Sequence, residues 1–163
     1  MNAADSPAAC EQVRLVADAM LGRLARWLRA LGYDTMYDTR LDDAALARRA
    51  RAEGRLLLTR DRQLVARKGL HSLLVTSDHL ADQLAQVLAH LSPLSLGCPG
   101  RCVVCNAVLS EVDKASVESR VPEYVWETQD DFTLCRQCGR IYWRGTHWQG
   151  IVRQVAALKR SDD

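Results

Sequence analysis

The chain has 163 residues, of which 48% are hydrophobic and 26% charged, and its net charge is +2. That length suits one ordinary domain, or one compact domain with a small stapled companion, and the composition is globular rather than disordered or fibrous. No apolar run reaches the roughly 18 residues of a membrane span. The first ten residues lack the basic stretch and apolar core of a signal peptide. The expectation is a soluble, cytoplasmic protein without membrane contact, disordered over residues 1–11.

From Val13 onward, apolar runs alternate with helical patterns. Val13–Ala17 reads as a buried strand. Met20, Leu21, Leu24, Trp27, Leu28 and Leu31 have helical spacing, and Gly32 ends that helix. A short strand is expected around Tyr33–Tyr37. Asp42 or Asp43 opens a helix that runs to Gly54 with Leu46, Ala47 and Ala50 inward. Leu56–Thr59 is a second buried strand, Arg62–Lys68 a weak helix, Ser72–Thr76 another strand, and Asp78–Leu91 a further helix. This alternation predicts a parallel α/β sheet with helices on both faces. Ser92–Gly100 holds two prolines and two glycines and reads as a boundary. The predicted domains are residues 12–93 and 98–150, with a closing helix and tail at 151–163.

Six cysteines in a cytosolic chain suggest metal rather than disulfides. Cys10 and Cys98 stand alone. Cys102-Val-Val-Cys105 and Cys135-Arg-Gln-Cys138 form two Cys-x-x-Cys turns, each presenting two thiolates to a tetrahedral zinc. Gly139 and Asn106 follow the two pairs, where the chain must turn back. Four thiolates leave no open coordination position, so this zinc is expected to be structural. Cys98 is the substitute ligand to consider, and a redox pair is the rival reading.

Ligands of open parallel sheets bind beyond the carboxyl ends of the strands. Asp18, Asp38, Asp61 and Asp78 each follow a predicted strand, and Asp42 and Asp43 open a helix nearby. Gathered carboxylates need a cation, and hard oxygen donors suit magnesium or manganese. Such a site activates water and stabilises charge on a phosphate. Each aspartate has an ordinary reading too: Asp42 and Asp78 as helix caps, Asp38 as a turn residue. No glycine-rich phosphate loop is present, which argues against a nucleotide switch or kinase.

The cations are arginines apart from Lys68, Lys114 and Lys159. Arginine suits forked phosphate contacts, although a GC-rich genome produces the same bias. Arg23, Arg26 and Arg29 follow Asp18 at a spacing of three, and Arg60 and Arg62 flank Asp61; a solvated helix face is the alternative. Near the second cysteine pair, Tyr142, Trp143, Arg144, His147 and Trp148 interleave rings with cations, as in surfaces that stack single-stranded RNA. Filling of a small core competes with that reading for Trp143 and Trp148.

Several stretches together resemble the Mut-seven C-terminal RNase family, which joins a PIN-like nuclease domain to a zinc ribbon. They are the run from Ala17 to Arg29 (ADAMLGRLARWLR), Gly32-Tyr33-Asp34, the run from Gly54 to Asp61 (GRLLLTRD), and the run from Cys135 to Trp148. The resemblance spans Val13 to about Gln149. It implies a metal-dependent ribonuclease whose acidic quartet holds magnesium or manganese. Asp18 matches the first-strand acid, Asp61 the Thr-x-Asp turn, and Asp43, or Asp42 one residue away, the acid opening the preceding helix. Asp78, then Asp38, are the candidates for the fourth.

The expected catalytic residues are Asp18, Asp43, Asp61 and Asp78, the first three holding the catalytic ion. Arg23, Arg26, Arg60, Trp143, Arg144 and His147 are the expected RNA contacts. Zinc is expected at Cys102, Cys105, Cys135 and Cys138. The expected partner is RNA, including tRNA or other structured RNA, with no protein partner specified. The alternatives are a non-catalytic RNA-binding module and a protein-interaction adaptor.

Overall fold

The computed structural model describes residues 13–91, 99–145, 149–150, 153 and 157. The N-terminal segment, His147, Trp148, most of the expected linker and most of the closing helix lie outside them. The chain forms two compact units, Met1–Asn106 and Ala107–Asp163.

In the first unit the elements are β1 (Leu15–Ala17), a 3-10 turn (Ala19–Leu21), α1 (Gly22–Ala30), β2 (Thr35–Tyr37), α2 (Asp43–Glu53), β3 (Leu56–Thr59), α3 (Arg62–Val65), β4 (Ser72–Leu74) and α4 (Leu80–His90). The four strands pair in the order β2-β1-β3-β4, and every pairing is parallel.

Strand alternation divides the core between the two faces. Leu15, Ala17, Leu56 and Leu58 pack with Leu24, Leu28, Leu84 and Val87 of α1 and α4. Val16 and Leu57 point the other way, onto Leu46, Ala47 and Ala50 of α2 and Leu64 of α3. Both faces are therefore covered, as the unbroken apolar runs of β1 and β3 require. Gly54 ends α2 at φ +61, a left-handed conformation that glycine adopts without penalty.

Two expectations shift. α4 begins at Leu80 with His79 as its N-cap, so Asp78 does not cap it. The weak helix after Asp61 stops at Val65.

The second unit holds β5 (Ser110–Val112), a 3-10 stretch (Lys114–Arg120), α5 (Glu123–Thr128), β6 (Phe132–Leu134) and β7 (Ile141–Trp143). Its strands form an antiparallel sheet in the order β5-β6-β7. Among the described residues its core cluster has only Val117, Val125 and Phe132 fully buried. So small a core needs a staple. Among the described residues, no helix is long and apolar enough to cross a membrane.

Candidate functional sites: a carboxylate edge and a four-cysteine cluster

The chain leaves β1 for β2 on one side, then returns past β1 to form β3 on the other. The strand order therefore reverses between β1 and β3, the place where open α/β sheets bind ligands. Asp18 follows β1 there and is 7% exposed. Its backbone N–H donates to Leu58 O at 3.0 Å, continuing the ladder. Asp18 Oδ1 accepts from Met20 N at 2.7 Å, capping the 3-10 turn, and Oδ2 accepts from the Thr59 hydroxyl at 2.6 Å.

Thr59, the last residue of β3, is fully buried. Its hydroxyl oxygen also accepts from Asp61 N at 3.0 Å. Asp61 in turn caps α3, with Oδ1 accepting from Gln63 N at 2.7 Å. One hydroxyl thus joins the two aspartates that follow the central strands.

Of the other acids, Asp42, Asp43 and Asp78 are exposed and Asp38 is half-buried. Asp42 caps α2 by accepting from Ala45 N at 2.7 Å, which leaves Asp43 exposed in the first helical turn. Asp78 is exposed and ion-paired with Arg60, whose Nε is buried without a partner. Asp38 pairs with Arg40 at 2.8 Å, and hydrogen bonds from Arg40 hold its carboxyl down to about 2. Among the described residues, the group of three or more metal-binding side chains with ligand atoms within 4.8 Å of one another is made of cysteines. Asp18, Asp43 and Asp61 do not form such a group.

That cysteine group is Cys102, Cys105, Cys135 and Cys138. Thiolates about 2.3 Å from a tetrahedral zinc lie about 3.8 Å apart, and this all-sulfur set, with every ligand atom within 4.8 Å of the others, suits zinc in donor type and closeness. The two turns are built alike. Asn106 N donates to Cys102 O at 2.9 Å, and Gly139 N to Cys135 O at 2.8 Å. Each closing residue has a positive φ, 67° at Asn106 and 77° at Gly139.

Arg23 and Arg26 are exposed on α1, but Arg29 is not. It is 5% exposed and its Nε and Nη1 donate to carbonyl oxygens, which corrects its placement with the phosphate-facing arginines. It falls four residues after Ala25 on the buried stripe of α1, a position where an arginine needs internal partners. Burial pulls its guanidinium below the usual arginine range, and the charges of Cys102 and Cys105 are the largest influences opposing that. Asp34, Arg55 and Asn106 form a further network. Asp34 Oδ1 accepts from Arg55 Nη1 at 2.9 Å and from Asn106 Nδ2 at 2.7 Å.

In the second unit, Trp143 is 36% exposed, with its ring centroid 6.5 Å from that of Phe132. It rests one side on the core and offers the other outward. Arg144 is exposed. A cleft of about 290 Å³ runs beside β2, lined by Tyr37, Asp38, Arg49 and Cys105 among others. Asp18 and Asp61 are not part of its lining.

A family model described as the Mut7-C RNAse domain matches residues 13–155. Comparison with curated proteins and with solved structures returns no match. The match takes in both the parallel-sheet unit with its carboxylate edge and all four clustered cysteines, so the chain belongs to the Mut7-C RNase domain family.

Proposed function

We propose that the protein is a divalent-metal-dependent ribonuclease that hydrolyses RNA phosphodiester bonds at the carboxyl edge of its parallel sheet. The observation that carries this reading is the pairing of Asp18 and Asp61 through Thr59 at the point where the strand order reverses. A bound magnesium or manganese supplies a nucleophilic water at neutral pH and offsets charge on the phosphate.

Asp18 and Asp61 are the primary carboxylates for that ion. Their oxygens keep lone pairs beyond those used in capping. Asp43 contributes through an intervening water, since magnesium usually retains several. Asp78 completes the outer margin together with Arg60. Arg23, Arg26 and Arg60 hold phosphates. Trp143, Arg144 and His147 extend the RNA surface by stacking and charge. The four cysteines hold a structural zinc, and the substrate class is RNA, including tRNA or other structured RNA.

The test is cleavage of labelled RNA by the purified protein with manganese or magnesium. Asp18→Asn and Asp61→Asn should each lower the rate by about a hundredfold or more, the scale of losing a positioned catalytic group. Wild-type rates in both variants would overturn the assignment.

One observation favours a second reading, a non-catalytic RNA-binding module. Asp18, Asp42 and Asp61 all serve as caps, and among the described residues no three acids bring ligand oxygens within 4.8 Å of one another. Salt-dependent RNA binding without cleavage under any divalent metal would support it.

A further inference from the structure

Arg29 has no carboxylate partner among the ion pairs of the described residues. A buried guanidinium must then be balanced by hydrogen bonds and by some other negative charge. Its Nε donates to Thr35 O at 2.8 Å. Its Nη1 donates to Val103 O at 3.0 Å and to Val104 O at 3.2 Å. Val103 and Val104 are the two residues between Cys102 and Cys105.

Further ties hold the same segment. Arg29 O accepts from Arg101 N at 3.2 Å, just before the turn. Thr35 N donates to Asn106 Oδ1 at 3.1 Å, just after it, while Asn106 Nδ2 reaches Asp34. The turn is thus fastened before, within and after its two ligands, to the end of α1 and the first residue of β2.

We propose that Arg29 is the positioning residue of the cysteine metal site. It holds the Cys102–Cys105 turn in its ligating conformation and sets a positive charge beside a thiolate shell that remains net negative when it contains zinc. Asn106 is the second tie. A group that orients ligands through their backbone and offsets their charge acts as an outer-shell partner, and loss of such partners costs about 10–100-fold in metal affinity. By linkage, the metal and the packing of α1 on β2 stabilise each other. This inference concerns the cysteine site and does not depend on whether the protein cuts RNA.

The experiment is zinc titration of the 163-residue chain against a chromophoric chelator, for wild type, Arg29→Met, Arg29→Lys and Asn106→Gly. Glycine at 106 keeps the positive φ and removes only the carboxamide. Arg29→Met should bind one zinc per chain about 10–100-fold more weakly. Arg29→Lys should fall between it and wild type, because it keeps the charge without the fork, and Asn106→Gly should weaken binding in the same direction. With cobalt in place of zinc, the thiolate-to-metal charge-transfer band should shift in Arg29→Met. Zinc should also raise the Tm of wild type by more than that of either Arg29→Met or Asn106→Gly.

Wild-type zinc affinity in Arg29→Met and Asn106→Gly would overturn the proposal. So would equal zinc-induced Tm increments in all forms, because a purely structural arginine lowers Tm with and without metal alike. If Arg29→Met does not fold, Asn106→Gly and Arg29→Lys decide by the same readings.

Discussion

Thr59 donates its hydroxyl proton to Asp18 Oδ2 across 2.6 Å, from the end of one central strand to the residue that follows the other. The same oxygen receives the Asp61 N–H, so this buried group sets where both acids stand. Thr59→Val keeps the shape and removes the hydroxyl. The stability cost expected is about 1.5–3 kcal/mol, the range for hydrogen bonds to charged groups, and RNA cleavage should fall with it. Thr59→Ser should retain most of both. Urea denaturation together with a cleavage assay on the two variants checks this.

Asp78, which is exposed, pairs with the half-buried Arg60, and ion pairs at the surface contribute about 0–1 kcal/mol. Asp78→Asn should therefore leave the urea midpoint nearly unchanged. It should slow cleavage far less than Asp18→Asn does, because Asp78 is exposed and engaged with Arg60. A loss in Asp78→Asn as large as that in Asp18→Asn would make it a full ligand instead.

Asp34 gives the stability a pH dependence with a definite sign. Burial pushes its carboxyl upward, but hydrogen bonds from Arg55 and Asn106 outweigh that and leave it below the ordinary range. Its folded value is thus lower than the unfolded value of about 3.9. The stabilisation is complete well above that unfolded value and is lost as pH falls through the folded one. Asp34→Asn should flatten this part of the acid limb in a plot of urea midpoint against pH. Identical acid limbs in the two proteins would remove Asp34 as the source.

Metal removal should act chiefly on the second unit, whose buried core is Val117, Val125 and Phe132. The protein should carry one zinc per chain by elemental analysis. Cys135→Ser should lose it, along with the near-ultraviolet circular dichroism of Trp126 and Trp143. The first unit has its own two-faced core, so most of the helical signal should persist.

Much of this organisation is legible in the residues. β1 and β3 are read from unbroken apolar runs because both of their faces are covered. The metal turns are equally local, since spacing and a following Asn106 or Gly139 define them. The start of α4 is not legible. Asp78 looks like a cap, but the Ser77 hydroxyl takes the His79 N–H and also donates to Asp82. Arg29 is the clearest failure of local reasoning. Its partners at Val103 and Val104 lie more than seventy residues along the chain, so a helical spacing of three groups it with surface arginines. The link through Thr59 is hidden for the same reason, because it joins two strands that meet only in the folded sheet.

A crystal of the wild-type protein soaked in manganese, measured with anomalous scattering, tests the nuclease account most directly. The account expects a peak between Asp18 and Asp61, in contact with at least one carboxylate oxygen of each and with water toward Asp43. Full soaking with no density at that edge, or manganese bound elsewhere while Asp18 and Asp61 keep only their capping bonds, would contradict it.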